Sequence, residues 1–192
     1  MILGITGGTG CGKTTLLSCI QARGGLVLDC DAIYHRLLRE DEGLLRAITM
    51  RFPETLEGGE FNRKKLGTIV FSDKKALLEL NAIAHAAVKR EVLRLLEKEH
   101  PAFAAIDAIA LFEGNLAELC DKTVAVTAPM ENRVQRLMRR DNISESYARS
   151  RIAAQHEESW FRERVDYVLA NEGTILDFQK KCEEFLDTLG IL

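Results

Sequence analysis

The stretch Gly7-Gly8-Thr9-Gly10-Cys11-Gly12-Lys13-Thr14 decides how this chain is read. It fits G-x-x-x-x-G-K-[ST], the pattern of a phosphate-binding loop. Its flanks agree with it. Met1 to Ile5 reads as a short buried strand, and Thr14 to Arg23 as a helix stopped by Gly24-Gly25. Glycines at 7, 8, 10 and 12 let the backbone turn where side chains would block it. Successive N–H groups then face a concavity for anionic oxygens at the positive end of a helix. Lys13 adds a point charge for β- and γ-phosphates, and the Thr14 hydroxyl can bind Mg²⁺. A glycine-rich turn with a chance lysine would need all these coincidences together. The loop implies a nucleoside triphosphate without saying which reaction follows.

Outward from the loop, Leu26-Val27-Leu28 is a short apolar strand closed by Asp29-Cys30-Asp31. Carboxylates at the carboxyl end of a strand in an α/β protein lie where ligands bind. One of the two can instead cap the helix that follows, Ala32 to Arg39. From 43 to 100 the pattern is helical: 43–51, then a helix capped by Asn62, then one capped by Ser72 that runs to Glu99 as one or two helices, with His100-Pro101 as the stop. No strand is expected there, and the segment reads as a helical insert over a substrate site. Strands resume at 103–111, 122–128 and 167–170. Pro129 opens a helix, a second starts near Ser144, and a last one, 175–189, turns Ile175, Phe178, Cys182, Phe185 and Leu186 to one side. The fold expected is therefore α/β, a five-stranded parallel sheet flanked by helices in one phosphate-loop domain. Its core is 1–42, 101–132 and 156–192, with an insert at about 43–100 and a lid at about 133–155.

The whole chain bounds the function. Its 192 residues, 46% apolar and 29% charged, suit a globular domain. A net charge of −3 gives no field for nucleic acid. No apolar run approaches the roughly 18 residues that span a membrane. The first strand starts at Met1, leaving no room for a signal peptide. Five cysteines without a Cys-x-x-Cys spacing fit reduced thiols in the cytoplasm. One of them, Cys11, lies two residues before Lys13 at a helix start, where a thiolate is favoured; it is either such a thiolate or merely a small residue, buried and inert. Arg136, Arg139 and Arg140 are spaced to share a helical face. They are either a solvated charged face or the arginines that phosphoryl transfer uses.

Together these segments resemble the dephospho-CoA kinases. The resemblance is carried by Thr6 to Thr14, by Leu28-Asp29-Cys30-Asp31 with His35, by Phe61 to Leu66 with Val70-Phe71, and by Leu80 to His85. Asp107 to Glu113, Gln135-Arg136-Leu137 with Arg140-Asp141, and Arg151-Ile152 with Gln155 carry the rest. Cys11 stands where that family usually has serine. Ala86 replaces a proline, as do Ile109-Ala110 a Pro-Leu pair. The resemblance implies a nucleoside-monophosphate-kinase-like fold and transfer of the ATP γ-phosphate, with Mg²⁺, to the ribose 3′-hydroxyl of dephospho-CoA. It implies Asp31 as base or orienter, with Arg136 and Arg140 closing on phosphates. Gly8, Gly10, Cys11, Gly12, Lys13, Thr14, Thr15, Arg140 and Asn171 would bind ATP, with Asn171 near the adenine. His35, His85, Leu111, Phe112 and Glu113 would join Asp31 on the acceptor. A monomer is expected, with ATP and dephospho-CoA as its only partners. The rivals are another small-molecule kinase of this fold and a GTPase-like switch. The second lacks an Asn-Lys-x-Asp, and its only Asp-x-x-Gly, Asp187 to Gly190, lies near the carboxyl terminus.

Overall fold

The computed structural model describes residues 1–191. Its order is β1 (Ile2–Thr6), α1 (Lys13–Ala22), β2 (Leu26–Asp29), α2 (Cys30–Glu40), α3 (Glu42–Arg51), β3 (Leu56–Glu57), β4 (Glu60–Phe61), α4 (Arg63–Ser72) and α5 (Lys74–Glu99). There follow β5 (Ala104–Asp107), β6 (Lys122–Thr127), α6 (Met130–Asp141), α7 (Glu145–Ala153), α8 (Glu158–Arg162), β7 (Tyr167–Ala170) and α9 (Ile175–Thr188). The expected five-stranded parallel sheet is present, in the order β2-β5-β1-β6-β7. β1 is its middle strand and leads into the loop. Leu3, Ile5, Val124, Val126 and Leu169 of the strands bury against Leu16, Cys19 and Ile20 of α1 and Phe178, Cys182, Phe185 and Leu186 of α9. α1 ends because Gly24 takes the left-handed conformation (φ 76°), which lets the Gly25 N–H reach the Ile20 carbonyl at 3.0 Å.

Two compact units make up the chain. One is 1–28, 100–112 and 116–192; the other is 29–99 with 113–115. The helical unit thus begins at Asp29, earlier than the 43 expected, because α2 packs along α5 and ties Arg36 to Glu91. α3 and α4 pack on α5 too. α5 is a single helix of 26 residues. Asp73, not Ser72, caps it, accepting from the Lys75 N–H at 2.8 Å; Ser72 is the last residue of α4. His100 (φ 42°) closes it ahead of Pro101. The expectation of no strand in this segment is also corrected. Leu56-Glu57 and Glu60-Phe61 form an antiparallel hairpin around Gly58 and Gly59, both at positive φ. In α9, Ile175 is 77% exposed and does not join the face expected of it.

Glu91 is the one buried carboxylate in the helical unit. It accepts from Arg94 at 2.7 and 2.8 Å and is bonded by Arg36. The Arg94 bonds, helped by Arg36 and opposed by burial, lower its pKa to about 2. A carboxylate depressed in the folded state adds stability above its unfolded value near 4.3, and loses it as pH falls toward 2. Both arginines are partly exposed, so the gain is modest. Glu91→Gln is expected to lower unfolding stability at pH 7 by about 1 kcal/mol. Urea titrations should show the gap closing between pH 4.5 and 2. A gap that is constant with pH would show that the charge is not what stabilises.

Candidate active site

The start of α1 differs from most other helices of the chain. α2, α3, α4, α7 and α9 each begin with an Asp, Asn, Ser or Thr side chain accepting a backbone N–H. α1 begins at Gly12, with no side-chain cap and no acidic residue in its first turn. The Lys13 and Thr14 N–H groups are therefore left to an external anion, with the positive end of the helix behind them. Gly12 sits at φ 102°, and a Cβ there would overlap Asn171 Nδ2. Lys13 Nζ donates to the Gly7 carbonyl at 3.0 Å, which holds the ammonium across the loop. Thr14 is exposed, and Thr15 N–H bonds back to Gly12 at 3.1 Å.

The far side of the loop is gripped from the carboxyl-terminal third of the chain. Asn171, directly after β7, is 4% exposed. Its Nδ2 donates to the Cys11 carbonyl at 2.8 Å, and its Oδ1 accepts from Arg136 at 3.1 Å. Arg136 also donates to the Gly10 and Cys11 carbonyls, each at 3.2 Å. Arg133 donates to the Thr9 carbonyl at 2.9 Å. Of the three arginines expected to act together, the structure brings only Arg136 to the loop, and its companion is Arg133. Arg140 is 59% exposed and turns to Asp141 at 2.7 Å, which Arg151 also holds at 2.6 Å. Arg139 faces solvent. Packing between α6 and α7 sets this rotation, with Val134 and Leu137 buried on Ala148 and Ile152.

Cys11 takes the buried, inert reading, and the lowered pKa expected of it is corrected. It is 3% exposed. Burial pushes its thiol up, and the nearby Arg133 and Lys13 only partly offset this. Cys19 is pushed up to about 11, and Cys120 and Cys182 to about 12. None of these four is poised as a thiolate. Cys11→Ser is expected to stay within about threefold of wild type, since a small side chain is all the packing requires. Native labelling with iodoacetamide at pH 7, mapped by mass spectrometry, should leave Cys11 unmodified while activity persists. Rapid alkylation at Cys11, suppressed by nucleotide, would overturn this.

The expected acceptor residues are divided between the units. In the helical unit, Asp29 caps α2, its Oδ1 accepting from the Ala32 N–H at 2.9 Å. Asp31, two residues on, is exposed, and no hydrogen bond or salt bridge engages it among the described residues. His35 lies one turn further along α2, with Nδ1 3.3 Å from Arg63. His85 is half-buried on α5, and Glu113 is exposed. In the sheet unit, Leu111 is fully buried and serves packing. Phe112 is half-buried, edge-on to Trp160 at 5.7 Å, and Trp160 stacks on His156 at 3.8 Å. No role was expected of Arg133, Gln155 or Asp107, although Gln155 and Asp107 stand in segments that carry the resemblance; Arg133 and Gln155 both bond the loop, and Asp107 ends β5 beside Ile5 of β1. Asp107 also had a physical signal, a carboxylate at the carboxyl end of a strand, whereas Arg133 had none.

The model of the dephospho-CoA kinase family matches residues 1–177. A dephospho-CoA kinase of Bacillus licheniformis is 33% identical, with 98% of this chain and 96% of that protein aligned. A crystal structure of a Thermus thermophilus protein, 33% identical, superposes with a TM-score of 0.81 over 98% of this chain and 97% of its own. The dephospho-CoA kinase from Campylobacter jejuni, 27% identical, gives 0.68 over 98% and 96%.

Proposed function

Since the chain belongs to the dephospho-CoA kinase family, we propose that it transfers the γ-phosphate of ATP to the ribose 3′-hydroxyl of dephospho-CoA, giving CoA and ADP. The observation that carries the reading is the loop at Gly7 to Thr14, opening on an uncapped α1, within a family match that spans nearly the whole chain. Phosphoryl transfer needs little covalent work from protein groups; it needs positioning and charge stabilisation. Backbone N–H groups at the start of α1, with Gly8, Gly10 and Gly12 giving room, hold the phosphates. Lys13 supplies the charge nearest them. The exposed Thr14 hydroxyl fits Mg²⁺, which binds through one or two protein oxygens and the substrate phosphates. No cluster of three or more His, Cys, Asp or Glu among the described residues offers a separate cage. Mg²⁺ would neutralise charge on the β- and γ-oxygens. Asp31 orients the acceptor hydroxyl and takes its proton, with His35 and Arg63 on the same helical unit as acceptor contacts. The protein is proposed to work in the cytoplasm as a monomer without nucleic acid; no described helix is long and apolar enough to cross a membrane.

The test is ADP release with dephospho-CoA as the only acceptor, with the product checked by mass. Shikimate, nucleoside monophosphates and no acceptor complete the panel. A fast rate only with another acceptor would replace the substrate, and slow acceptor-independent hydrolysis would favour the switch-like rival.

The arginines separate in a second test. Arg136→Ala is expected to lower kcat about 10²-fold, because it removes a charge bonded to the loop itself. Arg140→Ala is expected to cost less than about fivefold, as an exposed residue paired with its own neighbour. Equal and large losses would show that Arg140 swings to the phosphates during turnover.

A further inference from the structure

The phosphate-loop motif includes neither Arg133 nor Gln155, and the resemblance gives neither a role, yet they form a closed hydrogen-bonded ring with one residue of the loop, Thr9. Gln155 Oε1 accepts from the Thr9 N–H at 2.8 Å. Arg133 Nε donates to the Thr9 carbonyl at 2.9 Å, and its Nη2 donates to Gln155 Oε1 at 3.2 Å. Both partners of Gln155 Oε1 are donors, so the amide orientation is set. Thr9 is 9% exposed, so its backbone groups depend on these partners.

We propose that Arg133 and Gln155 are positioning residues that hold the phosphate loop in its anion-binding shape before nucleotide arrives. A trans peptide is planar, with its C=O and N–H pointing in opposite directions. The carbonyls of Thr9, Gly10 and Cys11 are consecutive, and all three are held on the outer side by Arg133, Arg136 and Asn171. Holding the Thr9 and Cys11 carbonyls outward turns the Gly10 and Gly12 N–H groups inward. The guanidinium of Arg133 thus acts on phosphate through the peptide it grips, and Gln155 keeps that guanidinium and the preceding N–H in register. Gly8 records the same contact: a Cβ there would overlap the Arg133 guanidinium, with its Cζ at 2.8 Å. Gly10 is confined likewise, its Cβ falling 2.9 Å from the Arg133 carbonyl. A loop held this way has less ordering left to do when it binds, which is where affinity is gained.

This inference rests on the nucleotide half of the proposed function only. Its test is calorimetric binding of ATP and ADP without any acceptor, so an error in the acceptor would leave it standing. Gln155→Met and Arg133→Met are each expected to weaken ATP about tenfold, the scale of one lost bond to a charged or buried partner. The double variant should be at most about threefold worse than the weaker single, because the two act as one unit. Gln155→Glu keeps an accepting oxygen and should recover binding to within about threefold of wild type. KM for dephospho-CoA should stay within about twofold throughout, a split that general loosening of the fold would not give. Should the methionine variants fold poorly, Gly8→Ala tests the same contact. It should mimic Arg133→Met in a wild-type background and cost nothing further in an Arg133→Ala background. Unchanged ATP affinity in Gln155→Met, additive losses in the double variant, or a Gly8→Ala defect indifferent to Arg133 would each overturn the proposal.

Discussion

Replacing Lys13 by methionine is expected to lower kcat/KM for ATP by about 10²–10³-fold while leaving thermal stability nearly unchanged. The Lys13 ammonium donates to the Gly7 carbonyl at the opposite edge of the loop, so its position is set before nucleotide arrives. Methionine keeps most of the stem and a good helix propensity at the first residue of α1, so little but the charge is removed. Lys13→Arg is not expected to rescue. A planar fork cannot take the place of a point charge bonded to one carbonyl. The measurement is steady-state kinetics beside thermal unfolding. A loss smaller than about tenfold would mean that the backbone donors alone carry the phosphates.

Asp31→Asn is expected to lower kcat about 10²-fold with KM for ATP nearly constant. A positioned base contributes about 10²–10⁴-fold, and the loose transition state of phosphoryl transfer puts the value at the lower end. The substitution is a clean one because Asp29, not Asp31, caps α2. Asp31 contributes to the helix only as a negative charge in its first turn, worth about 0.3–1 kcal/mol. Initial rates at saturating ATP decide the matter. A kcat within about threefold of wild type would remove Asp31 from the reaction, and a raised KM for dephospho-CoA alone would make it a binding group.

What could be read from the sequence was what is local along it. β1, the loop and α1 are contiguous, and each glycine, the lysine and the threonine state their purpose by spacing. The long strands and the capped helices followed from period and punctuation. The hairpin 56–61 was missed because two-residue strands carry no period, and Gly58-Gly59 reads as loop either way. Asp73 was passed over for Ser72, since either residue type caps and only the backbone shows which comes after the end of α4. Ile175 fits the apolar face of α9 by spacing but lies in its first turn, outside the core. Arg133 was one arginine in a basic run. Only the rotation of α6, set by packing on α7, aims it at a peptide 124 positions earlier in the chain. Whether Cys11 is a poised thiolate or a buried, inert thiol was left open by the sequence for a related reason. Of its cationic neighbours only Lys13 is written beside it, whereas Arg133 and the residues that bury it come from elsewhere.

The same clamp has a consequence in time. The loop is synthesised well before its partners, with Gln155 lying 146 residues beyond Thr9 and Asn171 lying 160 beyond Cys11. At about 5–20 residues per second, roughly 8–30 s separate the emergence of Cys11 from that of Asn171. β1 must likewise wait for β5 and β6, about a hundred residues later, before it has neighbours on either side. A nascent chain that stops short of Asn171 thus carries the complete signature of a nucleotide site without the means to shape it, so ribosome-held fragments should gain ATP affinity in one late step as β7 and Asn171 clear the exit tunnel.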